Sequence, residues 1–307
     1  MALFAIVIAL LLEQARPLAP GNRVTAGLSA WARAVGRNVD AGGVQHGWLA
    51  WALAAALPAL AAAGVYGLLG WLGGWPLELA WNVLILYFTL GLRQFSDRFT
   101  RIHDALNAGN EDRARKLLAR WQQTDAAALP GSEIVRHMIE YSVLTAHRCV
   151  FGVLLWFCVL AALGLGPAGA VFYRSAGFAL RYWRRRSQAA TQPVSPALVQ
   201  VARQAWRAVD WLPARCTALG FAVVGSFEDA VDAWRNHAAR FADPNDGVVL
   251  AATAGALGVR LGGAAGEGLP GLPPGPAHLT QVIGLLWRMM ALWLLLLVLL
   301  TLARVMG

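Results

Sequence analysis

Residues 46–75 read HGWLAWALAAALPALAAAGVYGLLGWLGGW, a run without a single Asp, Glu, Lys or Arg. A helix needs ~20 predominantly apolar residues to cross the hydrocarbon core of a bilayer, so this run predicts a membrane span. Pro58 lies inside it; such a proline is tolerated in a membrane helix where neighbours re-satisfy the backbone. Gly73-Gly74-Trp75-Pro76 is a turn signal, and Leu77 to Leu92 is a second apolar run with Glu78 beside the turn. The pair predicts a transmembrane hairpin, with Trp71, Trp75 and Trp81 in an interfacial aromatic belt.

The whole chain has the same character. Its 307 residues are 58% hydrophobic and only 14% charged, which excludes an ordinary soluble enzyme, about a quarter of whose residues carry charge. Fourteen tryptophans and abundant aliphatic residues exclude disorder. The formal charge of +9 comes from 25 arginines and one lysine, Lys116, against 17 acids. In a chain of this hydropathy such an excess reads as basic cytoplasmic loops, so the expected surroundings are a lipid bilayer and no nucleic acid. Cys149, Cys158 and Cys216 are scattered with no CxxC, so neither a disulfide framework nor a zinc site is suggested.

On the N-terminal side, Met1 to Leu12 is apolar but too short to span alone. It lacks the basic n-region and cleavage site of a secretory signal, and reads as a short or interfacial helix packed on the bundle. Residues 13–46 are a polar connection carrying Arg16, Arg23, Arg33 and Arg37. On the C-terminal side, residues 93–148 hold nine Arg/Lys and seven Asp/Glu and read as a helical cytoplasmic insertion. Asn110-Glu111-Asp112 opens a helix in which Ala114, Leu117, Leu118 and Trp121 share a face. Pro130-Gly131-Ser132-Glu133 starts another, with Ile134, Met138 and Tyr141 on one side.

Val150 to Tyr173 is apolar but broken by Gly164-Leu165-Gly166-Pro167, and residues 174–211 hold seven Arg and one acid. A straight crossing would place one of two basic loops outside, so a re-entrant or hairpin segment around 150–180 is expected. Residues 212–225 are short, apolar and interrupted by Arg215. Residues 226–283 form a Gly- and Pro-rich, motif-bearing region, and Leu285 to Ala303 is a final helix. Strand patterns are weak throughout. The expected fold is therefore an all-α, polytopic membrane helix bundle, a single integral membrane domain over 1–307, with amphipathic cytoplasmic helices and about four or five spans.

Three polar constellations could carry chemistry. Asp243-Pro244-Asn245-Asp246-Gly247 precedes a small-residue segment ending Ala254-Gly255-Ala256-Leu257-Gly258-Val259-Arg260-Leu261-Gly262-Gly263. Glycines permit close backbone approach, and free N–H groups with an arginine can hold an anion; tight packing of small residues in lipid gives the same pattern. Asp210-Trp211-Leu212-Pro213-Ala214-Arg215 reads as a helix start that places Arg215 near a helix N-terminus, as an anion ligand or a snorkelling cation. His147, Arg148 and Cys149 form a third polar patch, too small to be a metal site. No GxxxxGK[ST], HExxH or GxSxG motif occurs.

The run from Pro244 through Gly263 resembles the C-terminal signature of the CobD/CbiB family of cobalamin-biosynthesis membrane proteins. Leu212-Pro213-Ala214-Arg215-Cys216-Thr217 is similar to that family's I-P-A-R-L-T element, and Gly166 to Ala170 with Tyr173-Arg174 to its G-x-P-G-A…Y-K element, with one residue inserted. The resemblance covers roughly residues 145–265. It implies a multi-helix protein of the bacterial inner membrane that attaches aminopropanol, or its phosphate, to adenosylcobyric acid in an ATP-dependent amide-forming step. It also implies a corrinoid substrate and ATP with Mg²⁺, and leaves a homo-oligomer open. Arg215, Arg260, Asn245, Gly247 and Gly258 are the expected substrate- or anion-binding positions. Asp243 and Asp246 are either Mg²⁺ ligands or turn and cap residues. Two departures bear on catalysis: the family's E-N-x-S-D-G element would fall at Leu144 to Cys149 and its N-T-L-D-S element at Gly177 to Arg181, and neither is kept. The N-terminal stretch and the D-W-x-P-x-R element are also similar to AmpE, a related membrane protein associated with β-lactamase induction, which gives the alternative of a non-catalytic sensor or regulator.

Overall fold

The computed structural model describes residues 2–16, 23–122, 130–188, 194–263 and 270–306. The side chains of Arg23 and Trp121, and residues 264–269 of the Gly- and Pro-rich region, lie outside the described residues. In chain order the helices are α1 Ala2–Ala15, α2 Arg23–Val39, α3 Val44–Gly73, α4 Trp75–Thr89, α5 Leu92–Asn107, α6 Glu111–Gln122 and α7 Gly131–Ala146. They continue as α8 Gly152–Ala162, α9 Ala168–Ser187, α10 Pro196–Val209, α11 Trp211–Val224, α12 Phe227–His237, α13 Pro244–Leu257 and α14 Pro276–Met306. Apart from one isolated bridge between Val259 and Leu272, no strand pairing occurs among the described residues. The all-α class read from the sequence is the class observed.

Three described helices are long and apolar enough to cross a membrane: Val44–Gly73, Gly131–Ala162 and Pro276–Ala303. The first carries Pro58 inside it, as expected. The hairpin expectation needs correction in its second arm. Helix α4 has 15 residues, about 22 Å at 1.5 Å per residue, less than a ~30 Å hydrocarbon core requires. Trp71 and Trp75 are exposed at the turn, whereas Trp81 packs inward and donates its Nε1–H to the Ala62 carbonyl at 3.0 Å. The final helix starts at Pro276, nine residues before the apolar run that announced it.

Contacts divide the chain into two compact units. The first comprises residues 1–91 and 149–213. Here α9 packs on α3, α8 and α10, and α1 lies on α4. The core around Val35, Ala50, Ala54, Ala179, Trp183 and Leu198 is built on small residues that admit one large indole. Trp183 is fully buried, and its Nε1–H is satisfied by the Ala32 carbonyl at 3.1 Å. The chain breaks where Gly164 and Gly166 predicted it: both have positive φ, and α8 and α9 pack against each other across the turn. Tyr173 and Asp210 are buried and joined by a hydrogen bond from the phenol at 2.6 Å. Asp210, read from the sequence as part of a helix start, stands directly before α11, which begins at Trp211; it is also the C-cap of α10, with its carboxylate turned to Tyr173.

The second unit comprises residues 92–148 and 214–307. Asn110 accepts the Arg113 N–H at 3.0 Å and so caps α6. The buried face of α6 is Ala114 and Leu118, while Lys116 is exposed. Ile134 and Met138 are buried on α7, and Tyr141 is half-buried. Helix α13 packs on α12, α7 and α14, over a small core of Ala218, Ala238, Val248, Ala251 and Ala252.

Between α7 and α8 the residues His147–Phe151 form a π-turn. The whole stretch Gly131–Ala162 is 32 residues long, about 48 Å at 1.5 Å per residue. π-turns inside α-helices often mark functional sites, and this one holds two of the side chains described next.

Candidate functional site

The site lies in the second unit, at the N-terminal turn of α13. Asp243 is the N-cap: its Oδ1 accepts the backbone N–H of Asn245 at 3.0 Å and of Asp246 at 3.3 Å. Pro244 takes the first helical position, where a missing N–H costs nothing. The cap fixes the direction in which the next two side chains leave the helix. Asn245 is buried, and its Oδ1 accepts Arg215 Nη1 at 2.9 Å. Asp246 receives Arg148 Nη2 on both carboxylate oxygens, at 2.5 and 2.6 Å. That ion pair is semi-buried, with 29% of the arginine and 22% of the aspartate side chain exposed. Beside it, His147 Nδ1 and Thr217 Oγ1 meet at 2.9 Å, both residues buried.

Three elements therefore converge: the π-turn supplies His147 and Arg148, α11 supplies Arg215 and Thr217, and the first turn of α13 supplies Asp243, Asn245 and Asp246. Two guanidinium groups face a helix N-terminus, whose dipole also favours negative charge. The combination suits an anionic ligand such as a carboxylate or phosphoryl group. Burial pushes the Cys216 thiol up, which makes that residue a poor nucleophile at neutral pH.

The expected site residues separate along α13. Arg215, Asn245, Asp243 and Asp246 come together at its N-terminal end. Gly258 is the left-handed C-cap at the other end, with φ of 63°, about 20 Å along the axis from Asn245 at 1.5 Å per residue. Arg260 follows Gly258, is exposed, and donates from Nη2 to the Gly271 carbonyl at 3.2 Å. Gly262 beyond it donates its N–H to Glu140 Oε1 at 2.7 Å, and the same carboxylate is held by Arg136 at 2.8 Å. The glycine-rich tail of the motif thus docks on α7. Gly247 serves packing: a Cβ there would come within 2.3 Å of the Ala238 carbonyl oxygen.

Both expected metal carboxylates are engaged in this arrangement, Asp243 as a cap and Asp246 with Arg148. Among the described residues, no group of three or more His, Cys, Asp or Glu could hold a metal ion. Sequence reasoning noticed His147 and Arg148 as a polar patch but gave them no role. The available signal was the lost acidic element at Leu144 to Cys149: the segment stayed polar while its charge changed sign.

Comparison with known proteins bears on what this site serves. The chain matches a family model described as CobD/Cbib protein, over residues 2–179 and 201–267. It is 32% identical over 268 residues to "Cobalamin biosynthesis protein CobD" of Stutzerimonas stutzeri, covering 82% of this chain and 81% of that protein. It is 31% identical over 232 residues to the protein of the same name in Chromobacterium violaceum, covering 71% and 69% of the two chains. The AmpE alternative finds no support in these matches. No solved structure matches.

Proposed function

The chain belongs to the CobD/Cbib family of cobalamin biosynthesis proteins, and on that premise we propose that it attaches aminopropanol, or its phosphate, to a carboxylate of adenosylcobyric acid. The bacterial inner membrane is the setting this reading requires, with the basic loops cytoplasmic. The observation that carries the reading is the convergence of Arg148 and Arg215 on the capped N-terminus of α13.

Amide formation from a carboxylate needs two services from a protein. The carboxylate must be held and its charge offset while it is activated, and the amine must be kept beside the acyl carbon. Arg215 is pre-oriented for the first by the buried Asn245. Arg148 is held by Asp246 and can exchange that carboxylate for one brought by the substrate. His147 and Thr217 fix each other and so fix the π-turn that presents Arg148. ATP, when bound, supplies the leaving group that a carboxylate lacks. Arg148 and Arg215 are the residues that would face its phosphates, and Asp246 with Asp243 would face an accompanying Mg²⁺. Mg²⁺ is commonly held by one or two carboxylates together with substrate phosphates. The loss of the family's acidic elements is compatible with a site in which protein cations take up more of the substrate's negative charge.

The test is binding and turnover by the purified protein in detergent, with adenosylcobyric acid and Mg-ATP titrated separately. Arg215→Ala is expected to weaken corrinoid binding about tenfold or more, the value of one charge-assisted hydrogen bond, and to lower the melting temperature by a few degrees, because it also removes the donor to the buried Asn245. Failure of the wild type to bind adenosylcobyric acid, or equal binding by the variant, would remove the proposal. In cells, a deletion strain with no second homologue should accumulate adenosylcobyric acid.

A further inference from the structure

A second basic site lies in the other unit, and nothing in the reading above uses it. A cavity of about 230 Å³ is lined by Arg33, Gly36, Arg37 and Asp40 at the end of α2, and by Tyr182 and Arg186 near the end of α9. Three guanidinium groups thus border one small space. We propose that this cavity is a binding site for a phosphoryl group. The proposal does not depend on the cobalamin reading.

The walls are held in place from behind. Trp183 anchors α9 to α2 through its bond to the Ala32 carbonyl, and the same indole lies close over Gly36, where a Cβ would come to 3.2 Å from Nε1 and press on the ring. Arg33 Nε donates to the Tyr182 hydroxyl at 3.3 Å, which directs that guanidinium toward α9. Asp40 is the one carboxylate among the lining residues, and its hydrogen bonds go elsewhere. Its Oδ1 accepts the Ser195 hydroxyl at 2.6 Å and the Gly42 N–H at 3.2 Å, and its Oδ2 accepts the Ser195 N–H at 2.8 Å. Ser195 in turn caps α10. The carboxylate therefore fastens the cavity's rim.

Helix dipoles explain last-turn cations singly, and would account for Arg37 and Arg186. They do not account for Arg33, which sits more than a turn further back and faces the same cavity. Guanidinium groups in threes match the several oxygens of a phosphoryl group better than a single carboxylate. The ligand's remainder has a place too. An open groove of about 1120 Å³ shares Asp40 and Val194 with the cavity and continues along α10, past Gln200, Arg203, Gln204 and Arg207. The side chains of Gln200, Arg203 and Gln204 along it offer hydrogen bonds to a body attached to the phosphoryl group. That group could belong to a soluble phosphate compound or to the headgroup of an anionic lipid.

The experiment uses the full-length protein in a non-ionic detergent, titrated calorimetrically with inorganic phosphate and, separately, with dioctanoyl phosphatidic acid. The wild type is expected to bind at least one. Arg33→Gln with Arg186→Gln should weaken that binding about a hundredfold, at about tenfold for each charge-assisted contact. The charge-matched control Arg184→Gln with Arg185→Gln changes exposed arginines that do not line the cavity, and should stay within about twofold, since exposed charges are screened. Binding of phosphate assigns the site to soluble compounds; binding of phosphatidic acid alone assigns it to a headgroup. If the first pair does not fold, Arg37→Gln is expected to weaken binding about tenfold by the same arithmetic. No binding of either probe by the wild type, or equal losses in the two pairs, overturns the proposal, as does unchanged binding by Arg37→Gln.

Discussion

Gly169→Ala is expected to give a protein that accumulates poorly and melts well below the wild type. A Cβ at Gly169 would sit 1.8 Å from the Trp156 carbonyl oxygen and 2.3 Å from its carbon, both backbone atoms of α8. A side chain can swing aside from such a clash, but a helix backbone cannot. Either α8 and α9 separate or the turn at residues 163–167 distorts. Overpacking a well-packed core usually costs about 1–3 kcal/mol and occasionally more, and an obstacle of main chain puts this substitution at the upper end. Separation would also strain the bond from Trp156 Nε1 to the Val209 carbonyl, which is 3.0 Å in the intact unit. Melting curves of the two proteins in the same detergent check the expectation. A variant within a degree of the wild type would mean that α8 and α9 are not packed this closely.

Asp246→Ala is expected to abolish synthesis of the corrinoid product and to cost about 2–3 kcal/mol of stability. Breaking a fully buried ion pair costs about 3–5 kcal/mol, because the surviving charge is left uncompensated; partial exposure of this pair lowers the figure. The sign is tested by the second partner. Removing Arg148 as well takes away the orphaned cation, so the double variant should be more stable than the sum of the two single losses. Activity should not return with stability, because Arg148 belongs to the anion site. Additive losses in stability would show that the Arg148–Asp246 contact contributes little to holding the π-turn against α13.

What could be read from the sequence follows the range of the forces involved. Helix α3 was legible because thirty residues lack charge, and α6 and α7 because Asn110 and Pro130 mark their starts locally. The α8–α9 break was legible because Gly164 and Gly166 punctuate an apolar run. The start of α14 was not, because His278 and Gln281 interrupt the apolar pattern that marks the rest of the helix. Within the site, Arg215 and Asn245 could each be singled out by their motifs. Their contact, 30 residues apart in sequence, could not be. Arg148 and Asp246 are 98 residues apart, and no local pattern announces such a pair. Gly258 and Arg260 were grouped with Asn245 because a stretch of small residues has no visible period. Once α13 is a continuous helix, that stretch becomes a rod that keeps its two ends apart.

The π-turn at His147–Phe151 sets the torsional phase of everything that follows it in the helix. It acts as one surplus residue wound into an otherwise regular spiral, so each later side chain is turned by about 100° from where an uninterrupted α-helix would aim it. Beyond the turn α8 meets its own partners, Trp156 the Val209 carbonyl and the Phe172 ring, and Phe157 is buried. Excising any one of the five residues would let the spiral close and remove the wide turn that presents His147 and Arg148. The length of this segment is thus constrained as well as its composition, because a deletion that spares His147 and Arg148 would still unwind the turn that holds them.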